Sequence, residues 1–90
     1  MDYHELLREA IFKQRMKIRH VAREMLEQHG VDVDPSYISC LQNGKRPPAS
    51  DKINDALAAV LGIDPLILKV AAYKTKIPQD VLDAMVKEGS

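Results

Sequence analysis

Apolar positions recur along this chain with the 3.6-residue period of the α-helix, and no strand-period segment stands against them. Leu6, Leu7, Ala10 and Ile11 share a face, and Asp2 and Glu5 put negative charge where a helix N-terminus favours it, so a first helix is predicted from about Tyr3 to Gln14. Ile18, Val21, Ala22, Met25 and Leu26 form the stripe of a second, which leaves Arg19, Arg23 and Glu27 wet and stops at Gly30. Asp34-Pro35 is a helix start, because Asp accepts from free backbone amides and Pro suits the first helical position. It opens a short third helix to about Asn43, ended by Asn43-Gly44 and by Pro47-Pro48 beyond. Only Ile38 and Leu41 of that helix look like core residues, so tertiary packing must hold it. Ser50 can cap a fourth helix carrying Ile53, Ala56, Leu57, Val60 and Leu61, which Gly62 closes. Asp64-Pro65 starts a fifth to about Tyr73, and Pro78 opens a sixth with Val81, Leu82, Met85 and Val86. The pattern predicts an all-α chain, with Gly30 to Asp34 the one stretch whose alternation suits locally extended backbone.

Ninety residues that are 46% hydrophobic can build one core without a metal or disulfide staple. The single cysteine, Cys40, forms no internal disulfide and fits a reducing compartment. No basic-then-apolar leader opens the sequence, and no apolar run nears the roughly 18 residues of a membrane span, so a soluble cytoplasmic protein with no membrane partner is expected. Thirteen basic and thirteen acidic residues cancel, so distribution decides. Lys13 to Arg23 holds five cations (Lys13, Arg15, Lys17, Arg19, Arg23) and no acid, whereas Glu24 to Asp34 holds four acids and no base. A basic stripe attracts phosphate locally even on a neutral molecule; it is otherwise a solvated face.

Three linked segments carry a resemblance: Pro35-Ser36-Tyr37-Ile38-Ser39, then Leu41-Gln42-Asn43-Gly44-Lys45-Arg46-Pro47, then Leu57-Ala58-Ala59-Val60-Leu61-Gly62-Ile63-Asp64-Pro65. Over about Leu6 to Leu68 the chain resembles the Xre, or lambda-repressor-like, helix-turn-helix family. The resemblance implies a five-helix domain whose second and third helices read DNA, here with an extended turn between them and an extra C-terminal helix. It divides the chain into residues 1–74, the DNA-binding domain, and 75–90, a C-terminal extension. By the same resemblance Ser36, Tyr37, Ser39 and Cys40 face bases, while Lys17, Arg19, Asn43, Lys45 and Arg46 meet phosphates. The implied protein is a bacterial, phage or plasmid transcriptional regulator, a repressor acting as a homodimer on double-stranded DNA. Physical chemistry agrees independently: a reader must be uncharged enough to enter a major groove about 12 Å wide, with cations beside it for the two strands.

The chain departs from the family pattern in three places. Glu24 to Asp34 makes the turn about six residues longer than the family's compact one. That insert is acidic, and Asp34 either caps its helix or accepts a hydrogen bond from a cytosine amino group. Lys17 and Ile18 stand where the family commonly has a capping Ser or Thr and a phosphate-binding Gln. The first turn of the reader also lacks Arg, Asn or Gln for bidentate base contacts, so DNA shape is expected to share the discrimination. Tyr37 reads bases or packs on the second helix, and Cys40 is a small groove-facing side chain or a redox sensor.

No enzyme emerges. His4, His20 and His29 lack metal-ligand spacing, one Cys completes no zinc site, four glycines form no phosphate loop, and Asp80 and Asp83 sit in a charged tail. No cofactor or metal is expected. The competing expectation is an antitoxin-like or adaptor module whose main partner is a protein and whose DNA contact is secondary. Val81, Leu82, Met85 and Val86 either pack across a two-fold axis or cover the fifth helix.

Overall fold

Six helices, with no strand among the described residues, make up the chain: α1 (Tyr3–Gln14), α2 (Ile18–His29), α3 (Pro35–Gln42), α4 (Asp51–Leu61), α5 (Pro65–Lys76) and α6 (Gln79–Gly89). This computed structural model describes residues 1–89, leaving aside the side chains of residues 79, 88 and 89. The all-α reading holds, and no helix among the described residues is long and apolar enough to cross a membrane.

Helix ends follow the local chemistry, with exceptions. Asp34 and Asp64 cap α3 and α5, accepting from the backbone N–H of Ser36 at 2.8 Å and of Leu66 at 2.9 Å. Lys17 and Ser50 hold the N-cap positions of α2 and α4, but neither side chain makes a cap hydrogen bond. For Ser50 this corrects the sequence expectation. Gly30 ends α2 at φ +65°, which glycine adopts without the Cβ clash of other residues. There Gly30 N–H donates to Leu26 O and Val31 N–H to Met25 O, turning Val31 back into the core. The acidic stretch therefore resolves into two parts: Glu24 to His29 prolong α2, and only Gly30 to Asp34 form the connection, with no strand. The extended turn is largely an extended helix. α5 runs past Tyr73 to Lys76, so the expected domain boundary at 74/75 falls in its last turn, and the backbone leaves the helix at Ile77.

The core takes Tyr3, Leu7 and Ile11 from α1, Val21 and Met25 from α2, Ile38 and Leu41 from α3, and Leu57, Leu61 and Leu68 from α4 and α5. Leu26, expected in the stripe of α2, is 48% exposed. It lies about a hundred degrees round the helix from Met25, at the margin of the buried arc. α3 packs on α1 and α2, and α4 packs on α2 and α5. α6 makes only marginal contact with the rest, and the molecule is elongated, 44 × 22 × 21 Å.

One polar cluster sits inside this apolar body. Tyr3 Oη donates to Asn54 Oδ1 at 2.5 Å and accepts from Ala49 N–H at 3.4 Å, and Asn54 Nδ2 donates to Ala49 O at 2.9 Å. Asn54 is fully buried, and burial pushes the Tyr3 hydroxyl up to about 12. The cluster ties the start of α1 to the end of the α3–α4 loop.

Candidate nucleic-acid interface

Ser36, Ser39, Cys40 and Asn43 lie at i, i+3, i+4 and i+7, on the side of α3 away from buried Ile38 and Leu41. Ser36 and Asn43 are exposed, and Ser39 and Cys40 are half-buried. The face carries no charge. Its hydrogen bonds fix what each group still offers. Ser36 Oγ donates to Asp34 Oδ1 at 2.7 Å, leaving its oxygen as an acceptor. Ser39 Oγ accepts from Asn43 Nδ2 at 3.5 Å, so its O–H remains free to donate. Cys40 is a free thiol.

Asp34 settles into the cap geometry, with both Ser36 donors on one carboxylate oxygen. Those two hydrogen bonds, first from the Ser36 hydroxyl and then from its backbone N–H, hold its carboxyl below the usual carboxylate range. Glu24, a second acid of the insert, is half-buried and bonded to His20 and Gln28 on α2. Two of the four insert acids are thus committed to local hydrogen bonds.

Tyr37 sits on the flank of this face, half-buried and packed against the core, with the Arg46 guanidinium 5.6 Å from its ring centroid. The ring packs inward against the core, and one of its faces meets a cation. Lys45 N–H donates to Cys40 O at 2.9 Å, so the turn carrying exposed Lys45 and Arg46 is built onto the end of α3. Gly44 makes that turn possible at φ +70°; a Cβ there meets the His4 ring at 3.5 Å, so backbone conformation rather than space demands glycine.

The basic run from Lys13 to Arg23 is not one stripe. Lys13 pairs with Glu9 at 2.8 Å on α1, Arg15 occupies the C-cap of α1 at φ +53°, Lys17 is the N-cap of α2, and Arg19 and Arg23 lie one turn apart on α2. Lys17 and Arg19 are exposed but belong to a different element from the Tyr37–Arg46 group. Sequence reasoning overlooked Arg8, whose Nη2 donates to Gln42 O at 3.2 Å from 34 residues away. A cation at that helix C-terminus meets the negative end of the dipole. Arg8, Arg15, Phe12 and Gln42 line one shallow cleft at this end of α3.

Asp2, His4 and Glu5 form the one cluster of potential metal ligands among the described residues, with ligand atoms within 4.8 Å of one another. They crowd the start of α1, where the positive end of the helix dipole opposes a cation. Comparison with protein-family models, curated proteins and solved structures finds no match for the chain.

Proposed function

We propose that the chain is a sequence-reading, double-stranded DNA-binding regulator of transcription with a lambda-repressor-like arrangement of α1 to α5, in which α3 enters the major groove and represses by occupying its site. One observation carries this reading: α3 presents an uncharged face of small hydrogen-bonding groups, and Lys45 and Arg46 are fixed at its end by the Cys40–Lys45 hydrogen bond and the Tyr37 ring. An uncharged face crosses the groove without repelling or salt-bridging phosphate, and the cations beside it hold the two strands. Ser36 as acceptor suits the amino group of cytosine or adenine, and Ser39 as donor suits purine N7 or a carbonyl oxygen. In this reading Arg8 and Arg15 join Lys17, Arg19, Asn43, Lys45 and Arg46 as phosphate contacts.

The test is the salt dependence of duplex binding by fluorescence anisotropy. Each phosphate contact contributes a slope of about −0.9 in log K against log salt. Lys45→Ala with Arg46→Ala is expected to flatten the slope by about 1.8. Lys52→Ala, exposed on α4, serves as the control and leaves it unchanged. A shallow wild-type slope, or one the double variant does not alter, refutes the assignment.

A further inference from the structure

α6 divides cleanly into two faces. Val81 with Met85 and Leu82 with Val86, each pair at i, i+4, give a continuous apolar arc, while Asp80, Asp83 and Lys87 occupy the opposite side at i, i+3, i+7. Val81, Met85 and Val86 are 44%, 57% and 72% exposed. A helix of eleven residues is marginal in water on its own propensity, so an apolar face held in helical form calls for a surface to pack against.

That surface exists on the same chain. Leu6 and Ala10 of α1, with Ile67, Val70 and Ala71 of α5 and the side chain of Met1, line an apolar groove that runs between the two helices. Leu6 lies about two hundred degrees round α1 from Arg8, so the groove opens away from the α3 end of the molecule. Within one chain, only the beginning of α6 reaches this region: Leu82 is half-buried in a recess shared with Met1 and Ala71, and the helix then departs. The seven exposed apolar residues of the groove and α6 (Met1, Leu66, Ile67, Val70, Val81, Met85 and Val86) together present on the order of 700 Å², close to the area of about 800 Å² that each partner contributes to a standard interface.

We propose that two copies exchange α6, each laying its Val81, Met85 and Val86 face into the α1–α5 groove of the other, with Ile77-Pro78 as the hinge. A chain bearing both a knob and a matching groove meets the condition for a closed two-fold interface, in which each contact is made twice. The arrangement supplies a geometry for the dimer that the DNA-binding reading calls for, but forms without DNA and is tested without it.

The experiment is analytical ultracentrifugation of the full chain in the absence of DNA, with three proteins: wild type, Met85→Asp/Val86→Asp on the helix, and Ile67→Asp/Val70→Asp in the groove. These positions are exposed in the single chain, so far-ultraviolet circular dichroism is expected to show the variants folded. Wild type is expected to be dimeric at tens of micromolar, and each variant to weaken dimerisation at least tenfold. Mixing the two variants restores one intact helix-groove pair per heterodimer, so the mixture is expected to dimerise more strongly than either variant alone. A monomeric wild type, a dimer indifferent to the groove variant, or a mixture no stronger than its components overturns the proposal. A dimer indifferent to the groove variant would instead indicate α6 packing on α6. Loss of DNA binding with an intact exchanged dimer would refute the DNA reading alone.

Discussion

Removing one oxygen atom from Tyr3 tests how the interior of this domain supports its surface. Tyr3→Phe keeps the ring, which is 2% exposed, and deletes the hydroxyl that donates to Asn54 Oδ1 and accepts from Ala49 N–H. Asn54 is fully buried, so its amide oxygen loses a donor that water cannot replace. Leaving a buried polar group unsatisfied costs about 1–3 kcal/mol. For a domain of this size a loss of about 2 kcal/mol lowers the melting temperature by roughly 8–16 °C. The pH dependence supplies a second, independent signature. Because the folded hydroxyl titrates near 12 against 10.0 in the unfolded chain, folding favours its protonated form. That contribution is full below pH 10 and is lost as pH rises toward 12. Since each unit of pKa difference is worth about 1.36 kcal/mol, the wild type should lose on the order of 1 kcal/mol more than Tyr3→Phe between pH 9 and pH 11. Urea unfolding of both proteins at the two pH values measures both effects. A variant within 0.5 kcal/mol of wild type, or parallel pH profiles, refutes the reasoning.

Other substitutions separate stability from recognition. Leu41→Ala, beneath the proposed reading face, is expected to cost about 2–5 kcal/mol by thermal or urea unfolding, since α3 is too short to persist without its packing. Arg15→Gly relieves a left-handed backbone that is worth about 1–2 kcal/mol in a non-glycine residue, so its melting temperature should rise while duplex affinity falls. Asp34→Asn weakens the α3 cap; because the Asp34 pKa is lowered on folding, its contribution is present above the ordinary carboxylate range and fades as acid protonates it. The wild-type advantage over Asp34→Asn in acid unfolding should accordingly shrink as pH falls through the carboxylate range.

The number and type of the helices were legible in the sequence because each carries an apolar stripe of helical period and a strong stop: Gly30, Asn43-Gly44, Gly62 and the Asp-Pro starts act locally. Features set by distant partners were not. Asn54 occupies a core position of α4, i−3 from Leu57 and i−7 from Leu61, but its polarity masks it from any hydrophobic pattern. The Tyr3 hydroxyl, 51 residues away, and the Ala49 carbonyl together make its burial favourable. Arg8 looks like a solvated cation until α3 brings the Gln42 carbonyl to it. The basic run from Lys13 to Arg23 is contiguous in sequence but crosses the α1–α2 turn, and the turn distributes its charges over different faces. The acidic segment departs from the family spacing, yet Met25 and Leu26 within it keep the helical period that Gly30 stops, so its first residues lengthen α2 and only Gly30 to Asp34 connect it to α3.

Selection of bound duplexes from a random pool tests the central claim most directly, with wild type run beside Tyr37→Ala and beside Lys45→Ala/Arg46→Ala. The account predicts that wild type enriches a palindrome with half-sites about one helical turn, roughly 34 Å, apart. Tyr37→Ala should then shift base preference within each half-site, and the double cation variant should weaken every sequence alike. Failure of the wild type to enrich any sequence at moderate salt contradicts the account and makes the surface from Pro35 to Arg46 a protein-docking face instead.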